Sequence, residues 1–236
     1  MTGLPGPRRL SWLDALLLCL AFVVFATLTG LGVWQVQRLH WKLDLIEAVE
    51  TRAFGEPVAP PAGEISAAEH AYLRVRILGT FRHDLSVTVK AITELGPGHW
   101  VLTPMRLQMG HVWVNRGFVP AGTDRTHWVS PDAPLKVTGL LRITEEGGTL
   151  LESNEPASGR WVSRDVAALS AHAGLQHVRP YFIDADHAAA PDAWPRGGMT
   201  IVKFRNPHLA YALTWFAMAA LLLGAVVYLA FNRSRY

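Results

Sequence analysis

Two stretches decide the fold of this chain: Ala15–Val33, ALLLCLAFVVFATLTGLGV, and Leu209–Phe231, LAYALTWFAMAALLLGAVVYLAF. Neither contains a charged residue or a proline. At about 1.5 Å of rise per residue, each is long enough as a helix to match the roughly 30 Å hydrocarbon core of a bilayer. Lipid offers the backbone no hydrogen-bond partner, so a segment that crosses it closes its bonds within a helix. Thr214 can return its hydroxyl to the preceding turn, and Tyr211, Trp215 and Tyr228 carry the amphipathic rings that collect at headgroup level. The pattern predicts one transmembrane helix at each end of the chain and a single water-exposed domain between them.

Working outward, residues 1–14 form an N-terminal tail, 15–33 the first span, 34–208 the central domain, 209–231 the second span and 232–236 a C-terminal tail. Two spans put both tails on one side. Arg8 and Arg9 precede the first span, Arg233 and Arg235 follow the second, and the positive-inside tendency then places the tails in the cytoplasm and the domain outside. Arg38, Lys42, Lys203 and Arg205, near the spans on the other side, oppose this bias. A cleaved signal peptide is the competing reading of Ala15–Val33. Against it, no small-residue cleavage site closes the run, and helical spacing continues through Val36, Leu39, Leu43 and Ile46.

A chain of 236 residues allows one real hydrophobic core in the central domain. The net charge of +3 comes with no Lys/Arg-rich block, so nucleic acid is not an expected partner, whereas membrane lipid is. The only cysteine, Cys19, lies in the first span, which excludes an intrachain disulfide and a Cys-x-x-Cys pair. Arg52–Glu69, rich in Pro, Gly and Ala, reads as a loop. Alternating segments predict strands at Tyr72–Leu78, Leu85–Ile92, Trp100–Leu107, His111–Val119 and Leu135–Ile143. Gln108-Met109-Gly110 is a hairpin connection, and Pro104 marks an edge or bend. Arg164–His172 reads as a helix with Ser163 as its N-cap, Val178–Ile183 as a strand broken by Pro180, and Met199–Phe204 as a final strand. With no βαβ rhythm, phosphate loop or repeat, the fold class is two transmembrane helices flanking one α+β, mainly antiparallel β, extracytoplasmic domain.

The residues capable of chemistry gather at the two span exits. Past the first span, Trp34-Gln35-Val36-Gln37-Arg38-Leu39-His40-Trp41-Lys42 puts Arg38 and Lys42 on one face, four residues apart, and Trp34 in line with Trp41. Anchoring at the headgroups and docking of a partner or of an acidic group both fit this pattern. Before the second span, Asn206-Pro207-His208 suits a helix start, with Asn206 as N-cap and Pro207 in the first turn. His208 then stands at the outer interface, where a neutral imidazole can ligate iron or another transition metal or simply bond to backbone and water. His40, about seven residues past its span, is not predicted to meet it. Asp124, Asp132, Asp165, Asp184 and Asp186 are possible acids, but no spacing pairs them, and no hydrolase nucleophile motif is present. Arg116 reads as half of an ion pair with Asp165, Gly117 as a glycine required by backbone angle or close approach, and Trp161, Arg164 and Asp165 as architectural.

Four groups of residues, in order along nearly the whole chain, resemble the Surfeit locus protein 1 family. They are Gly32-Val33-Trp34-Gln35 with Arg38 and Trp41-Lys42-Leu43; Asn115-Arg116-Gly117-Phe118-Val119-Pro120; Trp161, Arg164-Asp165 and Tyr181-Phe182-Ile183-Asp184; and Asn206 to Phe216. Pro207 departs from the acidic or polar residue that relatives often carry. The resemblance implies a non-enzymatic assembly factor for haem-copper terminal oxidases, a chaperone of respiratory-chain biogenesis acting at insertion of haem a. It implies the catalytic subunit and haem a synthase as partners. The short N-terminus suggests a bacterial member, multi-pass in the cell inner membrane with its domain in the periplasm. His208 matches the histidine associated with haem binding. As the apolar haem a must stay at the membrane, His208 would supply an axial nitrogen, Arg38 and Lys42 would meet the propionates, and Trp34 and Trp215 would line an apolar wall. A haem-free chaperone that grips an oxidase subunit is the alternative, and a membrane-tethered enzyme a more distant one.

Overall fold

A computed structural model describes residues 11–128, 133–148, 152–187, 193–202 and 204–233. Arg8, Arg9, Asp132, Lys203 and Arg235 lie outside the described residues. Helix α1 runs Trp12–Phe54, past the expected end of the first span, and α4 runs His208–Arg233. Between them come α2 (Ala67–His70), β1 (Arg74–Phe81), β2 (Val87–Thr93), β3 (Gly96–Arg106), β4 (His111–Pro120), β5 (Leu135–Ile143), α3 (Val166–His172) and β6 (Val178–Ala185). The chain divides into two compact units, one holding residues 1–47 and 203–236, the other 48–202.

In the helical unit, only 6% and 11% of the most apolar windows of α1 and α4 are buried. A soluble core helix would be mostly enclosed, so these two helices have the length, composition and exposed apolar surface of membrane spans. The less exposed positions of α1 include Ala21, Phe25, Leu28, Gly32, Gln35 and Leu39, with Thr29, Leu31 and Val36 beside them, and those of α4 include His208, Ala212, Trp215, Ala219, Leu222 and Val226. Steps of three and four residues keep such positions on one stripe of each helix.

In the domain unit, β1-β5-β6-β4-β3 form a closed circuit because β1 also pairs with β3 through Thr80↔Arg106 and Phe81↔Met105; β2 flanks β3. All pairings of named strands are antiparallel except β4 with β6. Pro104 sits where β3 changes neighbour from β2, whose Val87 faces Leu102, to β1, whose Phe81 faces Met105. A residue without an N–H is tolerated at such a gap. Pro180 does not break β6. It occupies the irregular stretch between the pairs His111↔Val178 and Trp113↔Phe182.

Alternation along β4 separates two cores. Val112 and Val114 join Val75, Ile77, Phe81, Met105, Leu141 and Ile183, while Trp113 faces the other way onto Trp161, Val166, Leu169 and Phe182. There the Trp113 indole N–H donates to Ser170 Oγ at 3.0 Å, and the Ser170 hydroxyl donates to the Val166 carbonyl at 2.6 Å.

Three local expectations are corrected. The N-cap of α3 is Asp165, whose carboxylate accepts from the Ala168 N–H at 3.0 Å, because the helix starts at Val166 and Ser163 instead accepts from Gly148 and Asn154. Arg116 does not pair with Asp165. It donates to His83 Nδ1 at 3.2 Å and lies over the Phe81 ring, and burial pulls its guanidinium down to about 10. Met199–Val202 is not a strand: ladder bonding is made earlier, by Arg196 with Phe118, and Thr200 spends its side chain on Asp184. Gly117, at φ +130°, makes that earlier contact possible, since a Cβ there would lie 2.2 Å from the Arg196 backbone.

Asp184, 5% exposed, ties these pieces together. One oxygen accepts from Asn115 at 2.8 Å and Arg164 at 3.4 Å, the other from Arg142 and Thr200, each at 2.8 Å. Removing the carboxylate takes the ion partner from Arg142, leaves Arg164 with Glu145 alone and frees the donors of Asn115 and Thr200, so Asp184→Ala should destabilise the domain by about 3–5 kcal/mol, read from denaturation followed by tryptophan fluorescence. Arg164 also pairs with Glu145. Burial pushes the Glu145 carboxyl up, but the hydrogen bonds and charge of Arg164 outweigh it and hold the group below its ordinary 4.5. A lowered folded pKa gives stability that is complete above the unfolded value and lost as pH falls through the folded one. Stability should therefore decline as pH drops below 4.5, and Glu145→Gln should flatten that decline in denaturation midpoints measured across pH.

Candidate functional site

The helical unit brings together two polar side chains from opposite ends of the sequence. His208, at the start of α4, has its Nδ1 2.7 Å from Gln35 Oε1 on α1. An amide oxygen only accepts, so the imidazole donates from Nδ1, and in the neutral ring the lone pair is then on Nε2. Among the described residues Nε2 makes no hydrogen bond, and it is not enclosed. Gln35 is 9% exposed and on the seam. One turn earlier, Gly32 lets the Phe216 ring lie against the α1 backbone, where a Cβ would stand 2.5 Å from Phe216 Cε1. Small residues at a membrane helix interface permit this approach.

The other expected residues are distributed around this pair. Lys42, half-buried, holds its ammonium 5.2 Å from the Phe204 ring centroid, on the chain leading into α4. Arg38 is exposed and stacks on Trp41 at 4.4 Å. Trp34 is exposed on α1, away from the seam positions, whereas Trp215 is half-buried on the seam face of α4. No hydrogen bond or ring contact joins either to His208 among the described residues. His40 bonds back to the Val36 carbonyl at 2.9 Å and stays apart from His208. Asn206 is not the N-cap of α4: the helix opens at His208 with Tyr211 N–H on the Pro207 carbonyl, and the Asn206 amide is enclosed without a partner among the described residues. That orphaned amide lies two residues from His208 and can donate to, or accept from, a ligand's oxygen or hydroxyl.

Among the described residues no group of three or more His, Cys, Asp or Glu could hold a metal ion. The open donor set is one imidazole nitrogen at the seam and the Asn206 amide, enclosed without a partner among the described residues. One nitrogen is too few for a bare zinc or copper ion but enough for iron already held by a porphyrin, which needs only an axial ligand. The open Nε2 of His208 is a nitrogen of the kind such an axial position takes.

Cavities among the described residues of the domain include one of about 540 Å³ beside Pro61–Gly63 and Val178–Tyr181, and two others. One, about 230 Å³, is lined by Tyr72, Trp100, Arg142, Arg164, Asp184 and the Gly197–Ile201 stretch. Asp184 is saturated there by four donors and has no free lone pair aimed at a substrate. Tyr72, at φ +64°, is held by its N–H on the Leu141 carbonyl and by Arg142 over its ring. The second, about 410 Å³, is lined by His99, His172, Arg125 and Trp161, without a carboxylate. Neither combines a free carboxylate with a histidine.

Sequence reasoning had Gln35 in a motif but missed its partnership with His208, and it missed Arg142 entirely. The available signal for Gln35 was a polar residue in step with Gly32 and Leu39 on an otherwise apolar stripe.

The geometry defines a class: a two-span membrane protein whose domain is a small β-barrel and whose polar site lies on the helix seam. A family model described as the SURF1 family matches residues 22–220. Surfeit locus protein 1 of Mus musculus is 34% identical over 233 residues, 88% of this chain and 73% of that protein. Surfeit locus protein 1 of Homo sapiens is 31% identical over 228 residues, 88% and 75% respectively. The SURF1-like protein of Monosiga brevicollis is 32% identical over 217 residues, 85% and 82%. The chain belongs to the SURF1 family. The relatives named here are eukaryotic and lend no support to a bacterial source or a periplasmic domain.

Because Phe216 fills the space above Gly32, Gly32→Val should overpack the seam and cost about 1–3 kcal/mol, read as a lowered thermal midpoint of the detergent-solubilised protein.

Proposed function

We propose that this chain holds haem a at the seam of its two membrane helices, with His208 Nε2 as axial ligand, and passes it to the catalytic subunit of a haem-copper oxidase. The coarser role, assembly factor of cytochrome c oxidase, accompanies membership of the SURF1 family. The single observation that carries the finer role is the 2.7 Å bond from His208 Nδ1 to Gln35, which leaves Nε2 as the lone-pair nitrogen.

Haem a is the cargo, and it would bring its own four equatorial nitrogens and an apolar ring. This chain's residues would bind and orient it. His208 offers the fifth ligand and Lys42 a positive charge for a propionate; Trp215 offers an apolar edge. Arg38, exposed and stacked on Trp41, suits a propionate or a lipid phosphate. Trp34 is better placed for the lipid interface than for a wall of the site. A porphyrin is poorly soluble in water, so keeping it beside two membrane helices avoids a passage through solvent. A single axial nitrogen suits release as well as capture. We place the domain on the extracytoplasmic side from the arginines flanking the spans, with the oxidase subunit and haem a synthase as membrane neighbours.

The test is purification of the full chain in mild detergent from cells that make haem a, with an optical spectrum and pigment extraction. Wild type should carry haem a, and His208→Ala should lose most of it. Equal occupancy with an unchanged spectrum would remove His208 from the role. Protein free of pigment that still co-purifies with the oxidase subunit would favour the haem-free chaperone.

A further inference from the structure

We propose that Gln35 is a positioning residue that fixes the iron-binding tautomer of His208 and, as a neutral acceptor, keeps the imidazole a ligand weak enough to release its cargo. The inference rests on His208 being the axial ligand.

A neutral imidazole carries one N–H and one lone pair, and only the nitrogen with the lone pair can bind iron. Left alone, the ring exchanges between its two tautomers. Gln35 Oε1, 2.7 Å from Nδ1, selects the one with the proton on Nδ1 and the lone pair on Nε2. Gln35 is nearly enclosed, so water competes poorly for the bond. The ring is thereby fixed in orientation as well as protonation.

The identity of the acceptor sets the strength of the ligand. In carboxylate–histidine–metal triads, the negative charge draws the Nδ1 proton and makes Nε2 a stronger donor. An amide oxygen orients the ring equally well but pulls the proton less. A carboxylate on an apolar helix face would also carry a desolvation penalty whenever the haem is absent. Glutamine thus meets two requirements of a carrier: the ring is preorganised when the site is empty, and the ligand is moderate when it is full.

The experiment titrates the full chain in detergent with haem a and measures affinity and the midpoint potential of the bound haem for wild type, Gln35→Met, Gln35→Glu and His208→Ala. Gln35→Met keeps the bulk and removes the acceptor. It should weaken binding ten- to a hundred-fold and raise the potential. Gln35→Glu keeps the acceptor and strengthens it, so affinity should be retained or increased, release to excess apomyoglobin slowed, and the potential lowered. Shifts of opposite sign from the two variants are not produced by loss of packing alone. Weakened binding in both variants, or potentials that do not move, would overturn the proposal for Gln35 while leaving His208 as ligand. Unchanged affinity and spectrum in His208→Ala would instead remove the reading beneath it.

Discussion

A carboxylate taken out of water must be met by donors on every side, and in the domain that demand is answered at Asp184. Its two oxygens accept from Asn115 on β4, Arg142 on β5, Arg164 just ahead of α3 and Thr200 on the segment after the barrel. These partners come from parts of the chain separated by up to 85 residues, so the charge is satisfied only when the barrel, α3 and that segment are all in place. The arginines are used twice: Arg142 also covers Tyr72, and Arg164 also covers Phe182 and binds Glu145. A buried ion cluster contributes less net stability than its contacts suggest, because desolvation offsets much of the attraction. Its effect is on which arrangement forms, since any alternative pairing leaves a buried charge alone.

The helix pair follows the same rule in a different solvent. Glutamine and histidine are costly on helices exposed to lipid unless they satisfy each other, and Gln35 and His208 do so across the seam. Gly32 and Phe216 provide the close approach that brings them within bonding distance. The bond that satisfies two polar groups also decides which imidazole nitrogen is open, so the stability of the helix pair and the chemistry of the site have one origin.

The two polar clusters divide the work differently. Asp184 is closed by four donors, and the cavity beside it has no free base. The seam keeps one nitrogen open, and among the described residues the Asn206 amide is unpartnered. An unsatisfied polar group is a cost in folding that a ligand can remove, and at the seam it is accompanied by an open imidazole nitrogen, which is why the seam is the candidate site.

The amino-acid sequence by itself determined the two spans, because nineteen or more uncharged residues in a row have few other solutions, and it determined a mainly antiparallel domain from two-residue alternation. It also located His208 and the motif containing Gln35. What it left to tertiary structure were matters of which partner each polar group finds. Ser163 and Asp165 are both good caps, and only the start of α3 chose Asp165. Arg116 had several possible partners, and the turn carrying His83 supplied one. Met199–Phe204 has the composition of a strand, yet the antiparallel bonds went to Arg196, and Thr200 was drawn to Asp184. Gln35 and His208 are 173 positions apart, and no local pattern registers a bond of that span. Local periodicity reports the solvent a segment faces; the pairing of buried polar groups is decided only when distant segments arrive at the same place.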